Sequence, residues 1–115
     1  MKTYKDLIVW QKAYSLAVSI YKITKVFPVN EIYGLTSQLR RASVSIASNL
    51  AEGSKRGTKK DFAQFIRIAQ GSTAEIETQL MIAKEIDYLN EKDFNLLMDE
   101  LNQISRMLTG LLMKI

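Results

Sequence analysis

Few kinds of reactive group are present in this sequence. Histidine and cysteine are both absent, which removes the commonest general base, the commonest nitrogen ligand and every thiolate. Catalysis would fall to carboxylates, lysines, serines and tyrosines, and the protein is expected not to be an enzyme. The carboxylates pair as Glu75/Glu77, Glu91/Asp93 and Asp99/Glu100. One or two residues apart on a helix, two side chains face different directions. The Glu-x-x-His motif of di-metal bundles is missing. No metal and no cofactor are expected.

What is left is the chemistry of cations. The stretch GSKRGTK, residues 53–59, brings glycines and basic residues together as phosphate-binding loops do. A P-loop, however, needs four residues between its glycines, then Lys followed by Ser or Thr, entered from a strand. Here three residues intervene, the order is Thr-Lys, and a helical pattern precedes. Gly57 suits the left-handed geometry that ends a helix. Lys55, Arg56, Lys59 and Lys60, with Arg41 upstream, are candidate contacts to the phosphates of RNA or DNA. Cations beside the C-terminus of a helix also complement its dipole. No aromatic residue interleaves with the cluster, so base stacking gains nothing locally.

Arg40 shares a helix face with Val44, Ala47 and Ala51, and these four are the candidate oligomer interface. A half-buried arginine calls for a carboxylate or several acceptors. Glu52, Glu75, Glu77 or an acid of another subunit could supply the pair. Charge is unevenly placed. Residues 1–60 hold eleven Lys/Arg against three acids, a balance of +8, and residues 61–115 hold five against nine, a balance of −4. Such a split serves an anionic partner, or lets one subunit's basic half meet another's acidic half.

The elements that position these residues are helices. One proline and five glycines punctuate 115 residues, and between them apolar residues recur at 3-4 spacing. A first helix is expected over about 6–25, with Leu7, Trp10, Ala13/Tyr14, Ala17, Ile20/Tyr21 and Thr24 as its stripe and Val9, Leu16 and Ile23 widening it. A second, over about 31–56, carries Leu35, Leu39, Ala42, Ile46, Leu50 and Gly53. A third, over about 58–87, opens on Thr58 as N-cap with Asp61 behind it and buries Phe62, Phe65/Ile66, Ala69, Thr73, Ile76, Leu80 and Ala83. Its Gly71-Ser72 pair calls for a close helix contact or a bend. A fourth, over about 90–114, starts at Asn90 and repeats Phe94, Leu97, Leu101, Ile104, Leu108, Leu111 and Ile115. Met98, Met107, Leu112 and Met113 lie beyond that seam and either broaden the core face or mark a contact between subunits. Short connections join antiparallel neighbours, so the expectation is one all-α domain, residues 1–115, an antiparallel up-down-up-down four-helix bundle. No apolar run reaches the roughly 20 residues of a membrane span, and the N-terminus does not read as a signal peptide. A soluble cytoplasmic protein is expected.

Three runs carry a family resemblance: YKDLIVWQKAYSLA (4–17), LRRASVSIASNLAEGSKR (39–56) and FAQFIRIAQGSTAEIETQLMIAKEIDYL (62–89). The Arg40-Arg41 pair, Asn49-Leu50-Ala51-Glu52-Gly53, and Ala69-Gln70-Gly71-Ser72-Thr73-Ala74-Glu75 match its pattern. The chain resembles the four-helix bundle family associated with intervening sequences in bacterial 23S ribosomal RNA genes, over nearly its whole length. It is also similar to the accessory variability protein of diversity-generating retroelements. The resemblance implies a homopentameric ring, and that relative implies binding of nucleic acid and of a reverse transcriptase. The expectation is a non-enzymatic homo-oligomeric bundle that binds RNA or DNA through its basic surface. The alternative is an interaction scaffold that recruits a partner enzyme without touching nucleic acid.

Overall fold

The computed structural model describes residues 2–115. Among them lie four α-helices and no strand: α1 (Ile8–Ile23), α2 (Leu35–Ser54), α3 (Lys59–Glu85) and α4 (Glu91–Lys114). Each packs on two others: α1 on α2 and α4, and α3 on α2 and α4, with α2 against α3 the most extensive contact. The result is a four-helix bundle 43 Å long and 24 × 20 Å across.

Sequence signals account for most of the helix ends. Thr58 Oγ1 accepts the Asp61 N–H at 3.1 Å and opens α3. Asn90 Oδ1 accepts the Asp93 N–H at 2.8 Å and opens α4. Each replaces a partner the first helical turn lacks. Gly57, at φ 89°, makes the turn between α2 and α3, a backbone state that costs glycine little. Asp87 takes the left-handed region at φ 66° after α3, where the Tyr88 N–H reaches back to the Ala83 carbonyl at 2.9 Å.

Two starts differ from expectation. The capping box of Thr3 and Asp6 forms, but it closes a 3₁₀ turn, Tyr4–Asp6. Leu7 is extended, and α1 begins at Ile8. The N–H groups of Thr3 and then Lys2 donate to the Asp6 carboxylate and hold its pKa below the ordinary aspartate value. Likewise α2 begins at Leu35, not Glu31. Pro28 is followed by a 3₁₀ turn, Val29–Glu31, and Gly34 (φ −113°, ψ −118°) departs from helical geometry. Glu31 is therefore a cap, its Oε1 accepting the Leu35 N–H at 3.2 Å.

The core is built by Val9, Ala13, Leu16 and Ile20 of α1, and by the expected stripe of α2 from Leu35 to Gly53. Ile66, Ala69, Ile76, Leu80 and Ala83 of α3 complete it with Leu97, Leu101, Ile104 and Leu108 of α4. On α1 the buried line is rotated from the expected one. Tyr14 and Tyr21 are 56% and 43% exposed. The apolar arc of α1 is wider than the core, and the aliphatic side goes in because tyrosine hydroxyls stay wet at lower cost. Met98, Met107 and Leu112 pack against the core, while Met113 is exposed.

The α3 helix runs unbroken through Gly71-Ser72. A Cβ at Gly71 would meet nothing within 4 Å, so no close contact within one chain answers the glycine. Gly53 is the glycine at a close approach. A Cβ there would lie 2.6 Å from Phe65 Cβ, so its absence lets α3 press against the end of α2.

Candidate functional site

The turn between α2 and α3 gathers Lys55, Arg56, Lys59 and Lys60, all exposed. Their environments differ. Arg56 Nη2 lies 2.6 Å from Glu52 Oε2, the one ion pair among the described residues. Its guanidinium also sits 5.0 Å from the centre of the Phe65 ring, so Arg56 brackets the corner where Gly53 meets α3. Asn49-Leu50-Ala51-Glu52-Gly53 thereby has a local explanation, with Leu50 in the core, Glu52 holding Arg56 and Gly53 admitting Phe65. Lys55, which caps α2, complements the dipole of that helix.

Lys59 and Lys60 do not. They are the first two residues of α3, where the positive end of the dipole disfavours cations by about 0.3–1 kcal/mol each. Dipole complementarity, which the sequence suggests for the whole cluster, therefore covers only its α2 side.

Arg41 stands apart. It lies 14 residues before Lys55 on α2, about 21 Å along the axis at 1.5 Å per residue. It opens onto a polar cleft of about 380 Å³ between α2 and α3, together with Gln38, Ser45, Glu75 and Gln79. Behind the cleft, Asn49 Nδ2 donates to Ser45 Oγ at 2.8 Å, and Ser72 Oγ lies 2.9 Å from the same oxygen. The Ser72 and Glu75 positions of the third sequence motif thus meet α2 along this seam. Gln79 is buried, and its Oε1 has no hydrogen-bond partner.

The interface candidates fall together. Val44, Ala47 and Ala51 line a groove between α1 and α2 of about 680 Å³. Its facing wall is aromatic: Tyr4, Trp10, Tyr14 and Tyr21, with Lys22 and Lys25 on the rim. Trp10 touches Tyr4 edge-on at 5.3 Å between centroids and Tyr14 at 5.4 Å. Arg40 adjoins this wall but not as a member of an ion pair. Its Nε donates to Thr24 Oγ1 at 2.9 Å and Nη2 to the Tyr21 carbonyl at 3.4 Å. Its guanidinium rests 4.8 Å from the Tyr21 ring centre. The carboxylate expected from the sequence is replaced by a hydroxyl, a carbonyl and a π face, enough for a half-exposed cation.

Sequence reasoning missed the aromatic wall, because it assigned Tyr14 and Tyr21, with Trp10, to the core stripe, where only Trp10 of the three packs against the core. The available signal was a surplus: α1 carries apolar residues over more of its circumference than one core can cover.

The comparisons agree with this architecture. The sequence matches the model of the family described as 23S rRNA-intervening sequence protein over residues 5–110. A crystal structure of a protein with unknown function from the S23 ribosomal protein family, from Bacteroides thetaiotaomicron VPI-5482, superposes with a TM-score of 0.80 at 24% identity. The match covers 91% of this chain and 98% of that one, and it shows the shared fold. No curated protein matches the sequence. With 106 of its 115 residues inside the family match, the chain belongs to the 23S rRNA-intervening sequence protein family.

Proposed function

We propose that this protein is a non-enzymatic, homo-oligomeric bundle that binds RNA or DNA through the basic turn between α2 and α3. One observation carries the reading. Lys59 and Lys60 occupy the first turn of α3, exposed and without an ion-pair partner among the described residues. There they work against the helix dipole, and an anionic partner gives them a use that the bundle itself does not. With Lys55 they offer three point charges to phosphates, while Arg56 is held by Glu52. A helix start also leaves backbone N–H groups that favour an anion.

One domain with an up-down-up-down course is part of this reading. Early α2 meets late α1 through Arg40 and Thr24, and Gln70 of α3 reaches Thr109 of α4. Both contacts suit antiparallel neighbours. Assembly is supported by the open apolar groove beside Val44, Ala47 and Ala51, and a ring of five by the family resemblance. A ring would repeat a weak basic patch and bind one strand through several copies at once. A cytoplasmic location accords with the lack of any helix long and apolar enough to cross a membrane among the described residues.

The test is RNA binding by wild-type protein and by a Lys55→Glu/Lys59→Glu/Lys60→Glu variant at low salt. Loss of binding in the variant is expected. A wild-type protein that binds no structured RNA or duplex DNA at low salt would sink the reading. The scaffold alternative draws on the connection between α1 and α2, where Val26, Val29 and Tyr33 are 80%, 87% and 95% exposed. It predicts that the triple variant keeps its protein partner.

A further inference from the structure

We infer that the polar cleft between α2 and α3 binds a free α-amino acid, with Arg41 taking its carboxylate and Glu75 and Gln79 taking its ammonium group. The cleft lies about 21 Å up α2 from Lys55, at 1.5 Å per residue. Its residues are ones that nucleic-acid binding by Lys55, Lys59 and Lys60 leaves unused.

Small residues at a helix seam create the cleft. Gln38, Arg41, Ala42 and Ser45 stand at i, i+3, i+4 and i+7 on one face of α2, and Glu75 and Gln79 at i and i+4 on α3. With alanine and serine in that α2 face, no long apolar side chain fills the gap, and about 380 Å³ stays open. That is near the small end of ligand pockets, which run from about 300 to 1,000 Å³. Ser45 is fixed by the Asn49 amide at 2.8 Å and by Ser72 Oγ at 2.9 Å, so one wall is set before anything binds.

Gln79 lies deepest. It is 8% exposed, and its Oε1 faces no hydrogen-bond partner. Leucine would fill the place without burying an unpaired acceptor, which is costly. An acceptor at the bottom of an open polar cleft therefore points to a donor that arrives from outside. Water would serve the acceptor alone, but it gives no account of the unlike charges above it.

Those charges are Arg41 and Glu75, both exposed, on facing helices, and neither in an ion pair among the described residues. A lone phosphate would meet Glu75 beside Arg41, and a lone cation would meet the reverse. A ligand carrying both signs in one small frame matches both. In an α-amino acid the carboxylate and the ammonium share one carbon. The carboxylate accepts paired N–H bonds from a guanidinium, and two of the three ammonium donors serve Glu75 and Gln79 Oε1. The single apolar residue in the lining is Ala42, and Gln38 adds a further amide, so polar side chains should be preferred to large apolar ones. No aromatic ring lines the cleft, so a nucleobase would find no stacking partner there.

Calorimetric titration of the whole chain with L-glutamine, L-asparagine and L-serine tests this, with thermal unfolding in the presence of each. At least one should bind and raise the Tm. Its N-acetyl derivative, which lacks the cation, and its carboxamide, which lacks the anion, should not. Hydrogen bonds to charged groups are strong enough that losing one weakens binding about 10-fold or more. Arg41→Ala, Glu75→Gln and Gln79→Leu should each show that loss. Gln79→Leu is the sharpest, because it leaves both rim charges in place and is not expected to lower stability. The Lys55→Glu/Lys59→Glu/Lys60→Glu variant should bind the amino acid as the wild type does, which separates this outcome from that of the nucleic-acid reading. No binding of any of the three at about 10 mM, enough to fill most of a site with a Kd of about 1 mM, overturns the assignment. Binding that Glu75→Gln and Gln79→Leu leave unchanged overturns it too, as does equal or tighter binding of guanosine monophosphate. Should Arg41→Ala misfold, Arg41→Gln carries the same expectation.

Discussion

Two glycines in this chain have opposite surroundings and should respond oppositely to alanine. At Gly53 an added Cβ would press on Phe65 Cβ at 2.6 Å, and overpacking of that kind costs about 1–3 kcal/mol. Gly53→Ala is expected to lower stability by that amount in urea denaturation. At Gly71 the space is open. Gly71→Ala should raise stability by about 1 kcal/mol through helix propensity alone. Gln79 makes a third case. Its buried Oε1 has no partner, and an unsatisfied buried acceptor costs about 1–3 kcal/mol. Gln79→Leu should therefore leave stability equal or raise it by about 1 kcal/mol, and a loss of 2 kcal/mol or more would mean that the amide is satisfied in solution. None of these outcomes could be read from spacing. The sequence shows a glycine in a helix but not which neighbour approaches it, and Gly71 was the one that looked like a contact.

Among the elements, the helices and their caps were the most legible parts. Thr58 and Asn90 cap as their spacing indicated, and the stripes of α2 and α4 face the core as their periodicity indicated. What escaped was local. Leu7 and Gly34 each delay a helix by departing from helical dihedrals, and no propensity forces either. The wide apolar arc of α1 was visible, but which part of it the core would take depends on the shapes of α2 and α4. One link between elements predicts a pH effect. Tyr88 donates its hydroxyl proton to Glu31 Oε2 at 2.9 Å, tying the connection before α2 to the one before α4. That hydrogen bond, then partial burial, then the charge of Glu31, raise the pKa of Tyr88. A raised acid pKa means that the folded state holds the proton more tightly. The contribution is present in full below the ordinary tyrosine value of about 10 and is lost as pH rises through the raised one. Tyr88→Phe should lose stability at neutral pH and show a flatter fall in stability at alkaline pH than the wild type. Identical alkaline profiles would contradict the link.

For the whole molecule, the candidate site was partly legible. Charge counting found Lys55, Lys59 and Lys60, but geometry alone separates them from Arg56, which Glu52 holds, and from Arg41, which lies up the bundle. The division of labour predicts separable effects. Lys59→Ala/Lys60→Ala should keep or slightly raise stability, by up to about 1 kcal/mol, because it removes cations from the wrong end of a dipole. It should also weaken nucleic-acid binding. Val44→Arg should abolish assembly while each monomer keeps its basic turn, so binding weakens through lost avidity and not through lost contacts. The most direct measurement is the salt dependence of RNA or DNA affinity for the wild type beside the Lys55→Glu/Lys59→Glu/Lys60→Glu variant. Three phosphate contacts on a duplex predict a fall of about 40-fold in affinity between about 50 and 200 mM salt, and more if several copies engage. That steep slope is expected for the wild type and its loss in the variant. Equal affinities and equal slopes for the two proteins would contradict it.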